Sequence, residues 1–130
     1  MPDRAPDDLL PLTPVVLHIL LALTSGARHG YAVAQEVEAL TDGAVRMGPG
    51  TLYGSIQRML AAGLIEETTG ATAAGRAAGR PAARGDDDRA RRYYRATPLG
   101  RRVLQRELER LARVVDHARD RRLLPRPGAM

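Results

Sequence analysis

The side chains best suited to molecular recognition lie between Gly48 and Gly63. There Thr51, Ser55, Gln57 and Arg58 are interleaved with Gly50 and Gly54, while Leu52, Ile56, Met59 and Leu60 recur at spacings of four, three and one. The spacing is helical, and it sets the apolar residues on one face and the short polar residues and glycines on the other. Small and hydrogen-bonding side chains let a helix come close to base edges, and Gln and Arg can each bind a base through two hydrogen bonds. A lone exposed Gln or Arg is ordinarily just solvated, so the meaning of Gln57 and Arg58 depends on the architecture that carries them.

Other reactive groups lead nowhere comparable. His18, His29 and His117 are too scattered for a metal motif, and a zinc site built from them would need ligands from two chains. His18, in an apolar helix, reads better as a hydrogen-bonded interior residue or a polar spot where two copies meet. Asp86, Asp87 and Asp88 have the charge for Mg²⁺ but no phosphate cradle nearby, and read as a solvated run. The absence of Cys excludes a disulfide framework, a thiol nucleophile and a thiolate zinc site. Neither catalysis nor a cofactor nor a metal is expected.

The chain has 130 residues, enough for one domain, and a formal charge of +5. All 20 basic residues are Arg, and Lys, Phe and Asn, whose codons are AT-rich, are absent. Arg in place of Lys therefore reflects a GC-rich genome and does not by itself indicate phosphate binding. Charge is unevenly placed: residues 1–70 carry 4 Arg against 8 acidic groups, residues 71–130 carry 16 Arg against 7. The second half suits a polyanion, or else is a solvated tail and helix. The longest apolar run, from Val15 to Leu23, is interrupted by His18 and is short for a membrane span, and Asp3, Asp7 and Asp8 are wrong for a signal peptide. A soluble cytoplasmic location is expected.

Proline and glycine divide the chain into elements. Helices are expected to begin at Thr13-Pro14, Gly48-Pro49 and Thr97-Pro98, with Thr13 and Thr97 as caps, and to end at Ser25-Gly26, Asp42-Gly43 and Ala62-Gly63. The resulting helices span about 14–24, 31–41, 49–62 and 98–122. The first is apolar nearly all round and must be buried between partners. The second turns inward either Tyr31, Ala34, Val37 and Leu40 or Val33 and Val37. Beyond Gly63, Leu64 to Thr69 and Arg91 to Arg95 are strand candidates forming a long hairpin, with one of Tyr93 and Tyr94 in the core and the other at the wing or an interface. Between the strands, residues 70–90 hold nothing apolar larger than Ala and cannot order themselves. In the last helix, Leu104, Leu108, Leu111, Val115 and Ala118 form a heptad seam for the chain's own domain or, preferably, for a second copy.

The fold class that follows is mainly α with a small β-hairpin: a winged helix-turn-helix plus a long C-terminal dimerisation helix. Its parts are a flexible segment over 1–11, the winged domain over 12–96 with its wing loop at about 68–90, the dimerisation helix over 97–124 and a tail over 125–130. The blocks LTPVVLHILLAL, RHGYAVAQEV, GPGTLYGSIQRMLAAGLIEE and RRYYRATPLGRRVL, in this order, resemble the PadR-like family of transcriptional regulators. With a single C-terminal helix, the chain looks like the family's short members. The resemblance implies a homodimeric DNA-binding repressor responsive to a ligand or other signal. It implies that Pro49 to Tyr53 open the recognition helix, with Thr51 and Tyr53 on DNA, Leu52 in the core, and Gln57 and Arg58 continuing the exposed face. It also implies that His29, Gly30 and Tyr31 start the second helix, where its amides and the His ring can meet a phosphate.

Two departures stand out. Gly48 replaces the Ser of many members, removing a side-chain cap. The wing loop is long and carries Arg76, Arg80, Arg84 and Arg89, which together with Arg91 either enter a narrow minor groove or are an unselected expansion of GC-rich codons. Some short members hold flat aromatic ligands between tryptophans at the dimer interface; without Trp or Phe this chain cannot build that sandwich. Double-stranded DNA with a palindromic operator, a second copy and a small-molecule effector at the dimer interface are the expected partners. The alternative is a winged helix that has lost DNA binding and serves as a protein-interaction module. That would call for apolar anchors on the third helix, where only Tyr53 qualifies.

Overall fold

Among the described residues, proline opens three of the four helices, as its missing N–H and fixed φ suit the first helical position. In the computed structural model, which describes residues 9–68 and 92–128, α1 spans Pro14–Leu23, α2 Gly30–Leu40, α3 Pro49–Ala62 and α4 Pro98–Asp120. Thr13 Oγ1 accepts from the Val16 amide at 3.2 Å, and Thr97 Oγ1 accepts from the Gly100 amide at 3.0 Å. Gly48 caps α3 without a side-chain bond. α2 is capped differently, by the His29 ring, whose Nδ1 accepts from the Ala32 amide at 3.3 Å. α3 ends as expected: Gly63 takes a left-handed φ of 80°, and the Leu64 amide donates back to the Met59 carbonyl at 3.0 Å.

Among the described residues the sheet has three strands rather than two. β1 (Arg28–His29), β2 (Ile65–Thr68) and β3 (Tyr93–Ala96) lie in the order β1-β3-β2, all antiparallel, with Glu67 opposite Tyr94 and His29 opposite Tyr93. β1 is only two residues long, too short to show any period in the sequence. Both tyrosines of β3 are buried, where one was expected in the core and the other at the wing or an interface. Tyr94 joins the core, and Tyr93 is covered by the His29 ring, edge-on at 5.5 Å.

The core gathers Ile19, Leu20 and Leu23 of α1, Val33 and Val37 of α2, Leu52, Ile56 and Met59 of α3, and Val103 and Leu104 of α4. Of the two faces open for α2, the Val33/Val37 face is buried, while Tyr31 and Leu40 are exposed. α1 packs against α2, α3, α4 and β3, which bury Ile19, Leu20, Ala22 and Leu23 and leave Val15, Val16, Leu17 and Leu21 half-buried rather than enclosed all round. α4 comes against the turn after α3 at Gly100, where a Cβ would run into the Leu64 carbonyl.

The first turns of α4 belong to the chain's own core, which takes Leu104 out of the seam preferred for a second copy. Leu104 is buried inside the domain; Leu111, Val115 and Ala118 are half-buried, and Leu108 and Val114 are exposed. Glu107, on the same helix, is buried as well. Its Oε2 accepts from the Leu12 amide at 2.9 Å, and Arg110 grips both carboxylate oxygens, Nε to Oε1 at 2.6 Å and Nη2 to Oε2 at 3.0 Å. These bonds hold the carboxyl below its ordinary range, Arg110 contributing most, against the opposing effect of burial. The segment ahead of α1 is thereby tied to α4.

Candidate nucleic-acid interface

α3 turns Leu52, Ile56 and Met59 inward and leaves Gly50, Thr51, Tyr53, Gln57 and Arg58 exposed. The space over Gly50 is open, and a Cβ at Gly54 would meet only the Arg58 guanidinium at 3.6 Å. The helix therefore presents a face with little side-chain relief along its first turns. Ser55, expected on that face, is buried, because it sits beside Ile56 and Leu52 where α3 meets the core. Its hydroxyl instead accepts from Arg58 Nη2 at 3.3 Å, which makes it a support for the exposed guanidinium.

The start of α2 comes up against this helix. A Cβ on Gly30 would lie 2.7 Å from the Tyr53 hydroxyl oxygen, so the Tyr53 ring rests where only glycine leaves room. His29, Tyr31, Tyr53 and Gln57 then line an open cleft of about 670 Å³, floored by Gly30 and closed on the sheet side by Arg92 and Tyr94. Tyr31 and Tyr53 are well exposed, at 66% and 46%. Burial, and next the Glu67 carboxylate, raise the pKa of the Tyr94 phenol, while Arg92 works against them. That hydroxyl stays protonated and able to donate. His29 uses Nδ1 as an acceptor for α2, which takes the Ala32 amide out of those available to a ligand and leaves Nε2 as the protonated nitrogen of the neutral ring.

Arg92 and Tyr94 were not singled out as site residues from the sequence. Tyr94 lies on β3 and Arg92 immediately before it, and the pairing of β3 with β1 brings them beside α2. Arg76, Arg80, Arg84 and Arg91 lie outside the described residues, as does the run Asp86 to Asp88. Among the described residues, no three His, Cys, Asp or Glu side chains gather closely enough to hold a metal ion. His18 is half-buried and donates through Nδ1 to the Pro14 carbonyl at 2.7 Å.

The model of the transcriptional regulator PadR-like family matches residues 17–106, more than half of the chain, including α3, all three strands and the start of α4. This chain belongs to the PadR-like family. It is therefore a transcriptional regulator rather than an enzyme. The PadR-like chain is 39% identical over 104 residues to the transcriptional regulator Rv3488 of Mycobacterium tuberculosis, covering 78% of this chain and 81% of that protein. It is 32% identical over 96 residues to an uncharacterised 37.1 kDa protein in transposon Tn4556 of Streptomyces fradiae, covering 74% of this chain but only 22% of that larger protein.

Two solved structures share the PadR-like chain's fold. A transcriptional regulator from Clostridium thermocellum superposes with a TM-score of 0.61 at 24% identity, over 82% of this chain and 87% of that one. The protein smu.1704 of Streptococcus mutans gives 0.57 at 18% identity, over 92% and 97%. Among the described residues, no helix is long and apolar enough to cross a membrane.

Proposed function

We propose that this PadR-like regulator is a cytoplasmic, homodimeric, sequence-specific DNA-binding repressor, released from its operator by a small molecule or another signal acting at the dimer interface. The observation that carries the reading is the outer face of α3. Gly50, Thr51, Gln57 and Arg58 are exposed there, without the apolar anchors a protein-binding surface would need beyond Tyr53. A face of this kind can lie in a major groove, with Arg58 and Gln57 addressing base edges and Thr51 and Tyr53 near the helix start.

His29 and Tyr31 flank that face on the side where a backbone would run, and Arg76, Arg80, Arg84 and Arg91, which lie outside the described residues, would supply wing contacts to the DNA backbone or a narrow minor groove. Leu108, Leu111, Val115 and Ala118 continue along α4 beyond the core and are the surface on which a second copy would pack. A two-fold dimer would set two α3 helices about 34 Å apart, in successive major grooves of a palindromic site.

Recovery of the DNA bound by the intact protein, followed by binding measurements on the recovered sequence and on a random duplex, tests the reading. Arg58→Ala is expected to cost about 1–3 kcal/mol on the recovered sequence, a loss of about 5- to 150-fold, with a much smaller change on random DNA. Equal losses on both duplexes would remove Arg58 from base readout. Binding indifferent to salt and to sequence would overturn the DNA reading itself.

A further inference from the structure

The cleft between α2, α3 and β3 has a cation at its edge that is already engaged. Arg92 immediately precedes β3, two residues before Tyr94, and Glu67 of β2 stands opposite Tyr94. Arg92 Nη1 donates to Glu67 Oε2 at 3.1 Å. Both side chains are largely open to water, 67% for Arg92 and 45% for Glu67, so the pair adds little to folding stability. Its effect is on recognition, because Arg92 is the only Arg among the described residues lining the cleft and it is turned to a carboxylate.

The remaining lining suits an anion with several oxygens. Tyr31, Tyr53 and Tyr94 bring three phenol hydroxyls, and Gln57 brings a carboxamide. These are neutral donors that add hydrogen bonds without needing a counter-charge. A guanidinium joined by such donors matches the two non-bridging oxygens of a phosphodiester. The site is also adjacent to the exposed face of α3, so a strand whose bases meet Gln57 and Arg58 would have its backbone nearby. The Glu67 carboxylate is the element that fits badly, since it would repel the same phosphate that Arg92 attracts.

We propose that the cleft seats one phosphodiester of the DNA backbone, and that Arg92 reaches it by exchanging the Glu67 carboxylate for the phosphate. The inference rests on the DNA-binding reading above. Glu67 then lowers the affinity for every duplex by the strength of the pair that must be broken, and leaves base discrimination to α3. No bond is made or broken beyond these ionic contacts, and no proton moves.

A double-substitution cycle read by fluorescence anisotropy over a salt series tests the exchange, using the intact protein, Glu67→Gln, Arg92→Ala and the pair together. Circular dichroism establishes that each variant is folded. Glu67→Gln is expected to tighten binding of recovered and random duplexes alike, by about two- to fivefold, since it removes a surface ion pair from the free protein. Arg92→Ala is expected to reduce the slope of log affinity against log salt by about 0.9, the amount for one phosphate contact, whichever residue stands at position 67. In the Arg92→Ala background, the gain from Glu67→Gln should shrink to less than half, leaving only the relief of direct repulsion.

An unchanged slope for Arg92→Ala would show that Arg92 does not reach a phosphate and would overturn the proposal. So would a Glu67→Gln gain of the same size in both backgrounds, because Glu67 would then act by bulk charge and not through Arg92. Intact protein that binds no duplex at any salt would instead overturn the DNA reading, a result distinct from either.

Discussion

Replacing Glu107 is expected to loosen the joint between α1 and α4, and its size follows from the bonds in place. The carboxylate is 1% exposed, accepts from the Leu12 amide at 2.9 Å and is held by two bonds from Arg110. Arg110 is 41% exposed and can turn to water when its partner is removed. The Leu12 amide is half-buried and has less recourse. A hydrogen bond to a charged group is worth about 1.5–3 kcal/mol, and an emptied side-chain site adds to the loss, so Glu107→Ala should cost about 2–4 kcal/mol. Glu107→Gln keeps the shape and one acceptor, exchanging a charged bond for a neutral one, and should cost about 1–1.5 kcal/mol.

The pH dependence carries a definite sign. The carboxyl's folded pKa lies below its ordinary value, so folding favours the ionised form. Its contribution is complete above about 4.5 and is lost as pH falls through the depressed folded value. Urea denaturation at fixed protein concentration, at neutral pH and again near pH 3, measures this. The gap between the intact protein and Glu107→Gln should narrow in acid, since below about 4.5 the unfolded chain takes up a proton that the native carboxyl resists. A gap independent of pH would refute the role of the charge, and a Glu107→Ala variant within about 0.5 kcal/mol of the intact protein would refute the buried joint.

Gly30→Ala should change stability by less than about 1 kcal/mol, because better helix propensity offsets the displacement of a half-exposed Tyr53 ring. The same variant should bind duplex DNA as weakly as Tyr53→Ala, with no further loss when the two are combined; anisotropy showing unchanged binding would free Tyr53 from any dependence on Gly30. Leu108→Ser with Leu111→Ser should yield a folded monomer by size-exclusion chromatography with light scattering, whereas Leu104→Ala should cost about 2–5 kcal/mol of folding stability. A dimer that survives the double serine variant would exclude this stretch of α4 as the interface.

The helix starts and stops were legible because their causes are local. Pro14, Pro49 and Pro98 act within one turn, Thr13 and Thr97 cap amides three residues on, and Gly63 alone takes the left-handed conformation that ends α3. The inward face of α3 was also readable, since Leu52, Ile56 and Met59 repeat with the period of the helix. Ser55 defeated that reading: it lies at the edge of the apolar stripe, and a short hydroxyl there can go inside if a neighbour bonds to it, as Arg58 does.

The remaining features depend on contacts between distant parts of the chain. β1 exists because β3 offers an edge to Arg28 and His29, and that pairing buries Tyr93 as well as Tyr94. Leu104 has the same heptad credentials as Leu108, yet Leu104 is packed into the domain's core and Leu108 is left on the surface. Nothing in the local spacing sets Glu107 apart from its charged neighbours; it is the packed chain that places the Leu12 amide against it. The cleft is the clearest case: His29, Tyr53 and Arg92 come from three separate stretches, and no local period relates them. Composition and spacing determine which helices form and which way most of them face, because those energies are set within a few residues. Which polar groups meet is a property of the packed chain, because burial and hydrogen bonding are settled by whatever the fold brings alongside.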